Sequence, residues 1–322
     1  MTEAYPNKTQ ANKAQATANE QRTPKIGLAL GGGVARGWAH IGALKRLAEL
    51  GISPDIVCGT SVGALVGGFW LAGKLDALED WACSLTKRRM LTYFDVVLNG
   101  SGLMGGKRLM KTMSSHLGET TIEELPKKFV AVTAELATGH EIWLQKGKLS
   151  SAIQAAYALP GVFPPRAIDD RWVIDGALVN PLPVSVCRAM GARVVIAIGL
   201  HANAFGRGAN QRRERFAIDD TYTDSLEAPA RGGIDTMMVR RLFRTSGTVP
   251  GLGATMLASF NIVMDRVTRS RLAGDPADIL LMPEVGHIPL LDFDRAEDLI
   301  ARGAAAVEAQ REEIEASLAY LA

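Results

Sequence analysis

The chain has 322 residues, of which 47% are apolar and 22% charged, and its formal net charge is +2. This length supports one large α/β domain or two small ones, and the near-neutral charge argues against a protein whose main partner is nucleic acid. The 33 glycines follow no low-complexity period, so they predict tight turns and close backbone contacts. Three cysteines without CxxC spacing predict no disulfide framework and fit a reducing compartment.

Alternating predicted strands and helices begin after a polar tail over residues 1–24, which predicts disorder. This order indicates parallel strands joined by right-handed crossovers, in a single α/β domain over 25–322. The predicted strands are 26–30, 55–59, 129–134, 172–174, 194–198 and 279–282, and the predicted helices are 38–50, 62–73, 106–116, 150–158, 184–190, 253–271 and 295–318.

Three segments bear on membranes. The stretches 56–73 and 245–264 lack charge, but their glycines and polar residues argue against membrane-spanning helices. Residues 202–247 contain eight arginines and predict a variable insertion within the domain. Two hypotheses remain for it: a solvated insertion, or a cationic lid that faces anionic lipid headgroups.

The segment Gly59–Gly63 matches G-x-S-x-G, with Ser61 at its centre. In such an elbow, Gly59 and Gly63 permit a sharp turn between a strand and a helix, which exposes the serine hydroxyl. A predicted strand precedes the segment and a predicted helix follows it, as the elbow requires. The alternative is that Ser61 only caps a helix of small residues.

The earlier loop Gly31–Gly37 is a candidate oxyanion hole. Residues without side chains allow backbone N–H groups to point toward a substrate, and the helix that follows adds a favourable dipole. Both loops would lie at the carboxyl ends of neighbouring parallel strands, where α/β sheets bind ligands. A dinucleotide site is the competing interpretation, but G-x-G-x-x-G fails at Arg36 and the expected acidic residue is missing.

A nucleophilic serine also needs a base. His201 follows a predicted strand and His287 lies in a predicted surface loop, so each is a candidate for a Ser-His-Asp arrangement. Asp175 ends an apolar strand before Gly176, which fits either a catalytic carboxylate or a hairpin turn. These residues alone leave the choice open.

The Gly loop over 31–37, the elbow over 59–63 and Asp175-Gly176-Ala177 together resemble the patatin-like phospholipase family in order and separation. The segment 149–165 is similar to the bacterial neuropathy-target-esterase-like subgroup of that family. The resemblance covers about residues 25–200. It implies a three-layer domain with a mainly parallel central sheet flanked by helices.

The resemblance further implies a Ser-Asp dyad without a catalytic histidine. Ser61 would be the nucleophile that forms an acyl-enzyme, and Asp175 the base. Gly31, Gly32 and Gly33 would donate to the oxyanion. Arg36, beside Gly37, occupies the family's basic position, where it would support the loop or bind an anionic headgroup. The family's third motif is often Asp-Gly-Gly, whereas position 177 here is alanine.

A dyad aspartate needs direct contact with the serine and a site from which water is restricted, because a free Asp is a weak base. Trp172, Phe163 and Ile174 are the predicted apolar neighbours that would exclude water.

The sequence therefore predicts a serine esterase that acts on phospholipid or lysophospholipid acyl esters. It predicts no metal and no cofactor, because no ligand cluster such as H-E-x-x-H is present. The expected location is cytoplasmic, with peripheral contact at the inner membrane surface. A non-catalytic binding or regulatory protein on the same fold is the rival from another class.

Overall fold

The chain folds around an eight-stranded mixed sheet in a computed structural model that describes residues 25–86, 89, 107–201 and 251–319. The strands are Ile26–Leu30 (β1), Ile56–Thr60 (β2), Lys128–Glu135 (β3), Glu141–Leu144 (β4), Arg166–Ile168 (β5), Arg171–Asp175 (β6), Val194–Ile198 (β7) and Ile279–Leu281 (β8). The α-helices are Ala39–Glu49 (α1), Val62–Leu71 (α2), Leu75–Cys83 (α3), Lys107–Leu117 (α4), Leu149–Ala156 (α5), Val184–Ala189 (α6), Leu252–Gly274 (α7), Ala296–Ala309 (α8) and Arg311–Ala319 (α9). Short 3-10 turns occupy Val34–Trp38, Ile122–Glu124, Gly176–Leu178 and Phe293–Arg295.

Five strands run parallel in the order β3-β2-β1-β7-β8, and β4, β5 and β6 pair antiparallel. The predicted α/β class, with a mainly parallel sheet flanked by helices, is confirmed. The sequence did not predict β4 and β5, which have four and three residues and no run of buried apolar side chains.

Apolar side chains cover both faces of the parallel strands, as expected for a sheet buried between helices. Along β1, Leu28 and Leu30 join a large core that includes residues of α1, α2 and α8, while Ala29 faces a second core with residues of α6. This burial on two faces explains why the strand is a continuous apolar run.

Strands β2 and β6 pair with the same edge of β3. Residues 131–134 of β3 pair with β4 along the opposite edge. The other edge pairs with β2 at 128–132 and then with the antiparallel β6 at 133–135. The carboxyl ends of β2 and β6 therefore approach each other, and Thr60 and Asp175 lie opposite consecutive residues of β3.

The predicted helix over 295–318 is wrong in one respect, because the structure has two helices there. The backbone leaves the helical region at Gln310, between α8 and α9, and the Gln310 side chain donates to the Leu280 carbonyl at 3.3 Å. The predicted tail over 1–24 and the insertion over 202–247 lie outside the described residues. Within the part of the chain that the structure describes, every helix is too short or too polar to cross a membrane.

Candidate active site

Ser61 lies between β2 and α2, in a turn with a strained backbone. Its φ is 55° and its ψ is −126°, a conformation that a non-glycine residue rarely adopts. Packing explains the flanking glycines. A Cβ at Gly59 would lie 2.4 Å from the Ala64 nitrogen, and one at Gly63 would lie 2.2 Å from the Leu30 carbonyl oxygen. The G-x-S-x-G spacing thus forms a tight strand-to-helix elbow that presents Ser61.

The Ser61 hydroxyl donates a hydrogen bond to Asp175. The distance from Ser61 Oγ to Asp175 Oδ2 is 2.6 Å, although the residues are 114 positions apart. The other carboxylate oxygen of Asp175 accepts the Ala177 N–H at 2.9 Å, and the Asp175 N–H donates to the Ala158 carbonyl at 3.0 Å. Three hydrogen bonds therefore fix Asp175 in place, with its Oδ2 directed toward Ser61.

Asp175 is fully buried, and burial raises its pKa to about 7, against the lowering effect of the hydrogen bonds from Ser61 and Ala177. A carboxylate with a pKa near neutral is a much better base than a free aspartate. The hairpin interpretation of Asp175-Gly176 is wrong, because a 3-10 turn over Gly176–Leu178 follows β6.

The Gly loop offers fewer free donors than its glycines suggest. Gly31 N–H donates to the Ile198 carbonyl at 3.0 Å, and Gly32 N–H donates to the Pro181 carbonyl at 2.9 Å. Within the described residues, the N–H groups of Gly33 and Val34 have no hydrogen-bond acceptor. These two groups are the candidate oxyanion donors that remain in this loop.

Val34 shows a second strained backbone, with φ at 54°. A left-handed conformation is costly for a β-branched residue and persists only where the surroundings enforce it. Val34 and Ser61 both line the same pocket. The sequence did not indicate that Val34 belongs to the site, because a valine after three glycines does not by itself predict a positive φ.

Two buried cationic or ionisable side chains hold the Gly loop. Arg36 donates from Nε to the Ile288 carbonyl at 2.8 Å and from Nη2 to the Gly286 carbonyl at 2.9 Å. On α1, His40 bonds the Gly31 carbonyl through Nε2 at 2.8 Å, and burial lowers its pKa to about 4. The neutral His40 ring must be the donor, since a carbonyl oxygen only accepts.

An apolar pocket opens beside Ser61. Its cavity volume is about 90 Å³, and its empty space is about 730 Å³ when the mouth that is open to solvent is counted. Large apolar side chains form its walls, among them Trp38, Leu65, Leu159, Phe163, Leu291 and Phe293. Such a lining suits a hydrocarbon chain whose polar end lies at the serine.

The two candidate histidines, His201 and His287, differ in burial. His201 is buried, and burial first and then the charge of Arg36 lower its pKa to about 4, while Asp265 raises it. His287 is exposed. Among the described residues, the Ser61 hydroxyl bonds Asp175 and neither of these histidines.

Of the three apolar neighbours predicted to exclude water, Phe163 lines the pocket and Ile174 is buried. The prediction for Trp172 is wrong, because its side chain is 59% exposed. Trp172 shares a face of β6 with Ile174, but it precedes the residues of β6 that pair with β3 (Val173–Asp175) and lies in the β5–β6 hairpin opposite Ala167, outside the core.

The span that contains the Gly loop, the elbow and Asp175 matches a known domain. Residues 28–188 match the family described as patatin-like phospholipase. An uncharacterised NTE family protein of Mycobacterium tuberculosis is 30% identical over 325 residues, which cover 88% of this chain and 90% of that protein. The chain belongs to the patatin-like phospholipase family.

This patatin-like chain also shares about half its length with two larger animal proteins. The neuropathy target esterase sws of Drosophila melanogaster is 35% identical over 181 residues, 54% of this chain and 13% of that protein. The patatin-like phospholipase domain-containing protein 7 of Mus musculus is 33% identical over 180 residues, again 54% and 13%. The resemblance inferred from the three motifs is confirmed.

Proposed function

We propose that this patatin-like protein is a serine esterase that hydrolyses acyl esters of lipids, of the phospholipid or lysophospholipid type, through a Ser61–Asp175 dyad. The observation that carries the proposal is the 2.6 Å bond between Ser61 Oγ and Asp175 Oδ2 at the wall of an apolar pocket. The names of the relatives, which include a phospholipase domain and an esterase, support the same reaction class.

In the first half-reaction, Ser61 Oγ attacks the ester carbonyl carbon while its proton passes to Asp175 Oδ2. The negative charge that develops on the carbonyl oxygen is stabilised by the N–H groups of Gly33 and Val34, which are already fixed by the Gly loop. When the tetrahedral intermediate collapses, the proton on Asp175 moves to the leaving alcohol oxygen. The acyl group remains on Ser61.

In the second half-reaction, water attacks the acyl carbon and gives a proton to Asp175. The same donors stabilise the second oxyanion, and its collapse returns the proton to Ser61 Oγ and releases the fatty acid. The acyl chain would occupy the pocket lined by Leu65, Leu159 and Phe163. Its apolar walls also limit the water that reaches Asp175.

The test measures hydrolysis of short-chain and lysophospholipid esters by the wild type, Ser61→Ala and Asp175→Asn. Both variants should lose at least roughly a thousandfold in kcat, because each removes a group that moves the proton or forms the bond. Ser150→Ala and Asp265→Asn are matched controls, since both residues are buried but lie outside the pocket lining. Activity that survives either dyad substitution would overturn the mechanism.

Labelling with a fluorophosphonate separates the remaining alternatives. The folded wild type should be labelled at Ser61, whereas an unlabelled folded sample would favour a non-catalytic binding protein. His201→Ala and His287→Ala should keep their activity. Loss of activity in either variant, with Asp175 dispensable, would instead favour a Ser-His-Asp enzyme.

A further inference from the structure

Thr60, the residue before the nucleophile, makes a buried contact with the segment that follows Asp175. Its side chain is fully buried, and Oγ1 donates to the Asn180 carbonyl oxygen at 2.8 Å. Asn180 is also fully buried. This bond links the end of β2 to the chain five residues beyond the dyad carboxylate.

Asn180 is itself held firmly. Its N–H donates to the Gly176 carbonyl at 2.8 Å, which closes the turn after Asp175. Its Nδ2 donates to Glu141 Oε1 at 3.0 Å and to Ser185 Oγ at 3.2 Å, and Glu141 Oε2 accepts from Arg271 at 3.2 Å. The carbonyl that Thr60 contacts is thus anchored to β4, α6 and α7.

The backbone hydrogen bonds of the sheet do not link the segments that follow Thr60 and Asp175. The pairing of β2 with β3 ends at Thr60 opposite Val132, and the pairing of β6 with β3 ends at Asp175 opposite Thr133. Ser61 is the first residue beyond the ladder, and its backbone is strained at φ 55°. The Thr60 side chain is therefore a second link across the gap that the Ser61–Asp175 bond spans.

We propose that Thr60 is a positioning residue that sets the distance between Ser61 Oγ and Asp175 Oδ2. This inference rests on the proposed dyad and adds a residue that touches neither substrate nor the reacting atoms. Without the Thr60 hydroxyl, the Asn180 carbonyl loses a buried donor, and the end of β2 is no longer tied to the segment that follows Asp175. Small displacements in a preorganised site can lower the rate by roughly 100-fold.

The experiment compares Thr60→Val, which keeps the shape but lacks the hydroxyl, with Thr60→Ser, which keeps it. Thr60→Val should lower kcat by roughly tenfold or more with KM within about twofold, whereas Thr60→Ser should stay close to the wild type. The acidic limb of the rate profile should move to higher pH in Thr60→Val, because the Ser61 bond lowers the pKa of Asp175 and would be weakened. Loss of stability alone would not move this limb.

Thr268→Val is the matched control. It removes another buried hydroxyl, bonded at 2.7 Å to the Met264 carbonyl within α7, and should leave the acidic limb unchanged. If Thr60→Val does not fold, Asn180→Ala carries the test, because it keeps the carbonyl but releases it from Glu141 and Ser185. Asn180→Ala should also lower kcat and move the acidic limb of the rate profile to higher pH.

A folded Thr60→Val or Asn180→Ala with wild-type kcat and an unmoved acidic limb overturns the role of Thr60. If the same preparation shows Ser61→Ala and Asp175→Asn inactive, the dyad stands and only this inference fails. If the folded wild type neither hydrolyses esters nor reacts with a fluorophosphonate, the proposed function fails, and this inference fails with it.

Discussion

Ser61 and Asp175 meet because β2, which precedes Ser61, and β6, which ends at Asp175, run toward each other along the same edge of β3. The registers place Thr60 opposite Val132 and Asp175 opposite Thr133, so the two chain segments end one residue apart. This register brings the two segments close together, and the 2.6 Å hydrogen bond from Ser61 Oγ to Asp175 Oδ2 spans the gap that remains.

The rate should depend on the ionisation of Asp175. Only the carboxylate can accept the Ser61 proton, and burial raises the pKa of Asp175 to about 7. We expect kcat/KM to increase as pH rises and to level off above about pH 8. Rates measured from about pH 5 to 9 on a neutral ester check this. A profile already flat at about pH 5 would contradict a base with this pKa.

Replacement of Asp175 should stabilise the fold at alkaline pH. The pKa of Asp175 is about 7 when folded and 3.8 without the fold. Between these values the unfolded chain loses a proton that the folded chain keeps, so the free energy of unfolding falls as pH rises, by about 4 kcal/mol in total. Asp175→Asn has no such titration and can still accept from Ala177.

Urea unfolding at about pH 5 and about pH 8 provides the measurement. The stability advantage of Asp175→Asn over the wild type should be larger at the higher pH. The titrating histidines are common to both proteins and cancel in the comparison. An advantage that stays constant or shrinks with pH would show that the pKa of Asp175 is not raised by the fold.

Two glycine substitutions near Ser61 should have different consequences. A Cβ at Gly32 would lie 3.4 Å from the Cβ atoms of Ser61 and Ala177, which is ordinary contact, whereas a Cβ at Gly63 would lie 2.2 Å from the Leu30 carbonyl oxygen. Gly32→Ala should therefore fold and lose activity, because its methyl group crowds the space beside Ser61. Gly63→Ala should lower the melting temperature strongly. Thermal unfolding followed by circular dichroism measures the stability of both variants, and ester hydrolysis measures their activity. A fully active Gly32→Ala would contradict the placement of Gly32 beside Ser61.

Arg36 should act on the loop and not on a substrate headgroup. Its Nε and Nη2 bond the carbonyl oxygens of Ile288 and Gly286, and its side chain is buried. Arg36→Met removes both bonds and should lower the free energy of unfolding by about 2–3 kcal/mol. The ratio of kcat/KM for anionic over neutral esters should stay unchanged. A selective loss on anionic esters would identify Arg36 as a headgroup ligand.

Most of the fold was predictable from local patterns. The parallel strands are apolar runs buried on two faces, and the helix after β1 shows its apolar spacing in the sequence, whereas the helix after β2 is a buried run of small and apolar residues. The short strands β4 and β5 were not, because three or four residues without a run of buried apolar side chains leave no clear pattern. The break at Gln310 was not, because its side chain bonds Leu280, a residue thirty positions away.

By itself, the sequence determined the elbow, the Gly loop and the candidate carboxylate, because tight turns and small residues leave local signatures. The tertiary structure decided that Ser61 contacts Asp175, which N–H groups of the loop have no acceptor among the described residues, and that Arg36 bonds two carbonyl oxygens. These outcomes depend on distances between residues more than a hundred positions apart, such as Ser61 and Asp175. Strand register sets such distances, and register is a property of the assembled sheet.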